Sequence, residues 1–139
     1  MNMDTYKKEQ EIRELLVMYG KKLVLSGLVQ GTWGNLSIKF DNQYMLVTPS
    51  GLDYNRLTPS DMVKVDMKTL KYSGDNKPTS EKGLHAVIYN TRSDVGAVIH
   101  THSKYCSVFA AANKPVPIED IGTQKTFGEE VGIGKYALP

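Results

Sequence analysis

Residues 34–51, GNLSIKFDNQYMLVTPSG, read as a β-hairpin with a small-residue loop at each end. Leu36, Ile38 and Phe40 alternate with polar neighbours, the two-residue period of a strand with one buried face. Asp41-Asn42 supplies the turn, and the segment from Tyr44 to Gly51 returns as the second strand. The flanking loops pair Gly34 with Asn35 and Ser50 with Gly51. Glycine permits close backbone approach, and the amide and hydroxyl offer hydrogen bonds, so both loops suit an anion as well as an ordinary turn.

Upstream, Ile12, Leu15, Leu16, Tyr19, Leu23 and Val24 recur at helical spacing between Lys7 and Ser26, with Gly27 as a C-terminal stop. Downstream, Thr58-Pro59-Ser60-Asp61 has Pro at the first helical position, giving one turn before residues 62–69 extend again. Residues 73–78, SGDNKP, form a loop by composition. Thr79-Ser80-Glu81 opens a helix whose apolar stripe includes Leu84, Val87, Ile88 and Tyr89. A short strand, Ala97-Val98-Ile99, then leads to His100 and His102, and a further helix covers about Ser103 to Asn113. KPVPIED reads as irregular, and the glycine-rich GEEVGIGKYALP closes the chain. A hairpin followed by helix, strand and helix describes an antiparallel or mixed sheet covered by helices.

A length of 139 residues makes one domain the natural expectation. The net charge of +2, with lysines scattered along the chain, gives no footprint for nucleic acid. No apolar run approaches the roughly 18 residues needed to span a bilayer, and the N-terminal residues are too charged for a signal peptide. A single cysteine excludes an internal disulfide and points to a reducing cytoplasm. Cys106, among Val108, Phe109 and Ala110, is expected to be a small buried hydrophobe.

On a continuous strand Val98, His100 and His102 share one face, with the two histidine Cα atoms about 6–7 Å apart. Two imidazoles so placed converge on one cation, and zinc suits them. An H-x-H of this kind also occurs simply as a pair of half-exposed histidines. The remaining histidine, His85, lies one turn beyond Glu81, either as a third ligand or as a structural core group. Glu81 is the acid–base candidate: a carboxylate in the first turn of a helix is favoured by the macrodipole. Thr79 and Ser80 bring hydroxyls to the same helix start, which serves as a phosphate site or merely as the helix N-cap.

Taken together, GNLS, TPSG, KPTSE and AVIHTHS, with Glu81 nineteen residues before His100, resemble the class II aldolase/adducin family from about Tyr6 to Pro139. The likeness is nearest to sugar-phosphate aldolases of the fuculose-phosphate type. It implies a three-layer α/β/α fold around a mostly antiparallel sheet, assembled as a homotetramer. It implies one zinc ion per subunit, held by His100, His102 and, in the free enzyme, Glu81. Glu81 would handle the proton, and Asn35, Ser50, Gly51, Thr79 and Ser80 would cradle the substrate phosphate. The implied reaction is reversible retro-aldol cleavage of an L-fuculose 1-phosphate-like ketose 1-phosphate to dihydroxyacetone phosphate and an aldehyde. Two other readings stay open: an L-ribulose-5-phosphate 4-epimerase, whose members tend to carry Asp where Glu81 stands, and a non-catalytic adducin-like module. A dehydratase is a further relative.

The family's third zinc histidine lies some sixty residues beyond H-x-H, and this sequence stops at Pro139. The resemblance therefore implies a domain incomplete at its C-terminus over residues 1–139. Turnover is expected to lie about 10²-fold or more below that of an intact homologue, unless His85 or Glu129 completes the metal site.

Overall fold

Asn2 starts the first helix: its side-chain oxygen accepts the Thr5 amide at 2.8 Å, and α1 runs Met3–Leu25. The computed structural model describes residues 2–135 and divides into two units, Met1–Thr101 and His102–Pro139. Helix α1 ends as expected at Gly27, whose positive φ of 67° lets the Gly27 and Leu28 amides turn back onto the Val24 and Leu23 carbonyls. Its buried stripe is Glu9, Ile12, Leu16, Gly20 and Leu23. Leu15 and Tyr19 were expected on that stripe but are 40% and 42% exposed. The stripe is narrow because Gly20 brings the helix against the Tyr54 ring, where a Cβ would sit 2.5 Å from Cδ1. Glu9 is buried, and burial pushes its carboxyl up, but Lys64 and Arg13 at 2.8 and 2.7 Å outweigh this and hold it below the usual range.

The hairpin forms as its alternation requires. Strands β1 (Asn35–Lys39) and β2 (Tyr44–Val47) pair antiparallel, with Ser37 opposite Val47. Asp41 makes the turn by accepting the Gln43 and Tyr44 amides. Strand β3 (Val63–Asp66) adds beside β2, after 3₁₀ turns at Tyr54–Arg56 and Pro59–Asp61. Helix α2 covers Lys82–Thr91, and β4 (Ala97–His100) pairs antiparallel with β1. The strand order is β3-β2-β1-β4.

Alternation then sorts the sheet's side chains into two cores. Leu36, Phe40 and Leu46 pack with Ile12, Leu16 and Leu23 of α1, while Met45, Val47, Val63 and Val65 pack with Ala86 and Tyr89 of α2. The first unit is thus a three-layer α/β/α arrangement around an antiparallel sheet. The stripe expected on α2 needs correction, since Leu84 and Val87 are 51% and 59% exposed. The face turned to the sheet is His85, Ala86 and Tyr89. Ala86 is small enough for close approach, and His85 is satisfied by hydrogen bonds rather than by apolar contact.

In the second unit α3 (Lys104–Ala111) is followed by β5 (Val116–Pro117), α4 (Ile121–Phe127) and β6 (Glu130–Val131), with β5 and β6 paired. The stretch read as irregular therefore contains a short strand, and α4 begins where Asp120 accepts the Gly122 and Thr123 amides. Cys106 is exposed, contrary to expectation, because α3 buries none of its residues. Among the described residues of this unit none is buried. The end of the GKYALP segment, residues 136–139, lies outside the described residues. Among those described, no helix is long and apolar enough to cross a membrane.

Candidate active site

Asn35 opens β1, directly opposite His100 at the end of β4. That pairing places an amide and an imidazole at the same end of the sheet. Glu81, the residue just before α2, reaches the same end: Asn35 Nδ2 donates to Glu81 Oε2 at 2.7 Å, and His100 Nε2 lies 3.4 Å from that oxygen. Glu81 occupies the N-cap position rather than the first turn, with no side-chain capping bond. Its carboxylate is therefore turned to Asn35 and His100 instead of to the helix amides.

The two small-residue loops are strapped together beside it. The Ser50 amide donates to the Lys77 carbonyl at 2.8 Å, and the Thr79 amide to the Thr48 carbonyl at 3.1 Å. Pro49 and Pro78 form a bridge between them. Thr79 is buried, and its Oγ1 accepts the Glu81 amide at 3.3 Å, so neither Thr79 nor Ser80 caps the helix. Ser50, Gly51 and Ser80 are exposed, and Gly51 has a φ of 74° with open space where a Cβ would stand. Asn35, Ser50, Gly51, Thr79, Ser80 and Glu81, scattered over 47 positions of sequence, thus belong to loops joined by hydrogen bonds within the first unit.

His102 does not continue β4. The ladder ends at the Asn35–His100 pair, because Gly34 before Asn35 takes a φ of 81° and leaves the strand conformation. The shared face expected from strand alternation therefore extends to Val98 and His100 only, and His102 opens the second unit. Among the described residues no group of three or more His, Cys, Asp or Glu side chains is gathered for a metal. The two donors that are gathered have the right chemistry. A histidine nitrogen and a carboxylate oxygen 3.4 Å apart match the ligand–ligand edge of a tetrahedral zinc, about 3.4 Å for bonds of about 2.0–2.1 Å.

His85 is not a metal ligand in this arrangement. It is fully buried, with Nδ1 2.6 Å from Ser37 Oγ and Nε2 2.5 Å from Asn35 Oδ1. Tyr89 OH lies 2.7 Å from the same Ser37 oxygen. Burial, with His100 nearby, pushes the imidazole down to about 4 against the opposing charge of Glu81. Ser37 and Tyr89 did not stand out in the sequence as site residues. The signals were there: a serine on the core side of an alternating strand, and a His–Tyr pair four apart on one helix face.

A pH dependence follows from His85. Its folded pKa, about 4, is below the unfolded value near 6.5, so its contribution is complete above 6.5 and is lost as pH falls toward 4. The unfolding free energy is expected to fall over that window by up to about 3 kcal/mol, at a slope approaching about 1.4 kcal/mol per pH unit. Urea unfolding at pH 7, 6 and 5 measures it, and a flat profile would count against a neutral, buried His85.

Residues 14–139 match the family described as Class II Aldolase and Adducin N-terminal domain. The chain is 41% identical over 110 residues to the 5-deoxy-D-ribulose 1-phosphate aldolase of Bacillus thuringiensis serovar kurstaki, covering 78% of this chain and 51% of that protein. It is 36% identical over 109 residues to a Mycoplasma pneumoniae protein named probable L-ribulose-5-phosphate 4-epimerase, covering 77% and 45%. A solved structure of L-fuculose 1-phosphate aldolase superposes with a TM-score of 0.83 at 36% identity, covering 92% of this chain and 60% of that one. The chain spans about half the length of these curated relatives.

Proposed function

The chain belongs to the class II aldolase and adducin N-terminal domain family, and from that premise we propose that it carries the catalytic core of a metal-dependent sugar-phosphate aldolase. The reaction is reversible cleavage of a ketose 1-phosphate to dihydroxyacetone phosphate and an aldehyde. The observation that carries this reading is the Glu81 carboxylate, held by Asn35 at 2.7 Å, with His100 at 3.4 Å and the Ser50 and Thr79 loops joined beside it. The substrate class is that of the two relatives named as aldolases, whose names share a ketose 1-phosphate.

His100 and Glu81, with His102 two residues further along the chain, would hold a zinc ion. When bound, the metal supplies a Lewis acid for charge developing on the substrate oxygens. In the condensation direction Glu81 takes a proton from the hydroxymethyl carbon of dihydroxyacetone phosphate, and in cleavage it returns that proton. Asn35 occupies Oε2, so Oε1 is the oxygen that exchanges it. The Ser50 and Ser80 hydroxyls, the Gly51 backbone and the second Nδ2 proton of Asn35 hold the phosphate. Thr79 contributes by fixing the Glu81 amide. A reducing cytoplasm and a homotetramer belong to the same reading.

The 36% identical protein named as an epimerase keeps a second reading in view, a 4-epimerase acting on the same class of bond. Products separate the two. The zinc-loaded chain is incubated with fuculose-, rhamnulose- and ribulose-type phosphates. Release of dihydroxyacetone phosphate is expected; a 4-epimer without it would establish the epimerase, and binding without turnover a non-catalytic module. Zinc content of a His100→Ala/His102→Ala variant is expected to fall, and equal content in the two proteins would remove these histidines from the metal site.

A further inference from the structure

Five side chains of the first unit lie in one line of hydrogen bonds: Tyr89 OH to Ser37 Oγ, Ser37 Oγ to His85 Nδ1, His85 Nε2 to Asn35 Oδ1, and Asn35 Nδ2 to Glu81 Oε2. Donor chemistry gives the line a direction. A carboxylate only accepts, so the Asn35 NH₂ faces Glu81 and its carbonyl oxygen faces His85. That oxygen only accepts as well, so His85 Nε2 carries the ring proton. The ring is fully buried with Ser37 Oγ 2.6 Å from Nδ1, and a buried imidazole is neutral, so Nδ1 is bare to accept from the Ser37 hydroxyl. Ser37, having given its proton to Nδ1, accepts from the Tyr89 hydroxyl. Every donor points toward Glu81.

We propose that His85, backed by Ser37 and Tyr89, is a positioning residue that locks the Asn35 carboxamide with its NH₂ toward Glu81 and so holds the carboxylate for proton transfer. The alternative tautomer, with the proton on Nδ1, would present a lone pair to Asn35 and favour a flipped amide. Asn35 Oδ1 would then stand 2.7 Å from a carboxylate oxygen, acceptor against acceptor. A core histidine with only a packing role has no reason to prefer one tautomer over the other. This inference rests on the reading of Glu81 as the proton-handling group.

The test is a long-range ¹H–¹⁵N spectrum of the histidine rings in the full, isotope-labelled chain, with the Asn35 side-chain amide followed in parallel. A single Nε2–H tautomer is expected for His85, with two resolved and slowly exchanging Asn35 Nδ2 protons. An Nδ1–H tautomer, or a mixture, would overturn the relay. In His85→Leu those Asn35 protons are expected to exchange at least tenfold faster, and kcat to fall by about 10–100-fold. His85→Gln, which keeps an N–H donor, should restore part of both. A folded His85→Leu variant with an unchanged Asn35 amide would also overturn the proposal. If His85→Leu does not fold, the wild-type tautomer still decides. Should no sugar phosphate be cleaved while tautomer and amide behave as expected, the relay stands and the aldolase reading falls.

Discussion

Glu81→Gln is expected to lower turnover of a ketose 1-phosphate by about 10³-fold while leaving the fold intact, within the range that loss of a general acid–base group produces. Glutamine has the same length, and its carbonyl oxygen still accepts from Asn35 Nδ2. What disappears is the charge and the basic oxygen that takes the proton. Little stability should go with it. The Glu81 side chain is about one-third exposed and makes no capping bond, so thermal unfolding should stay within a few degrees of the wild type. The initial rate of dihydroxyacetone phosphate release, measured with saturating zinc in both proteins, reads the effect. A loss smaller than tenfold would assign the proton to another group.

Gly34→Ala combines two costs at one residue. Its φ of 81° disfavours any side chain, by roughly 1–2 kcal/mol. In addition the new Cβ would stand 2.7 Å from the His100 carbonyl oxygen and 3.2 Å from Val29 Cγ2. The nearer atom is backbone, paired in the sheet, and cannot swing aside as a side-chain tip does. A total of about 3 kcal/mol or more is expected, read as a lower urea midpoint. Because the strand that must shift carries His100, zinc affinity should fall even in the folded fraction. Gly51→Ala is the control: its φ of 74° is similar, but nothing lies within 4 Å of its Cβ, so only the backbone strain remains. Equal losses for the two variants would show that close approach of β4 is not what Gly34 provides.

The hairpin, the Pro59 turn and the Gly27 stop were legible because each depends on neighbours in sequence: alternation, a fixed proline φ, a left-handed glycine. The acid at position 81 and the small-residue loops were legible as chemistry, and their order along the chain carried the family resemblance. What was not legible depends on distant partners. Where β4 ends is set by Gly34, sixty-six positions earlier, so alternation alone carried the strand too far and placed His102 on it. The face α2 buries is set by the polar row Ser37 offers from β1, which no apolar stripe reveals. Cys106 looked buried because its neighbours are apolar, yet burial needs a second surface, which composition does not supply.

Strand β2 lies inside the sheet, and Met45, Leu46 and Val47 have no solvent exposure, one side chain turned to the α1 layer and two to the α2 layer. Neither layer can therefore peel away without uncovering the same strand, and the two cores should melt as one cooperative foldon. Backbone amides of β2 then exchange with solvent only in rare global openings. Gly51 and Ser80 are exposed and lie outside the ladder, so their amides are expected to exchange through smaller, local openings. The Glu81 carboxylate stands between the two settings, tied through Asn35 to the sheet and carried beside the exposed Ser80. Rigid aim on one side and room for a substrate to enter on the other are thus written into one residue's attachments.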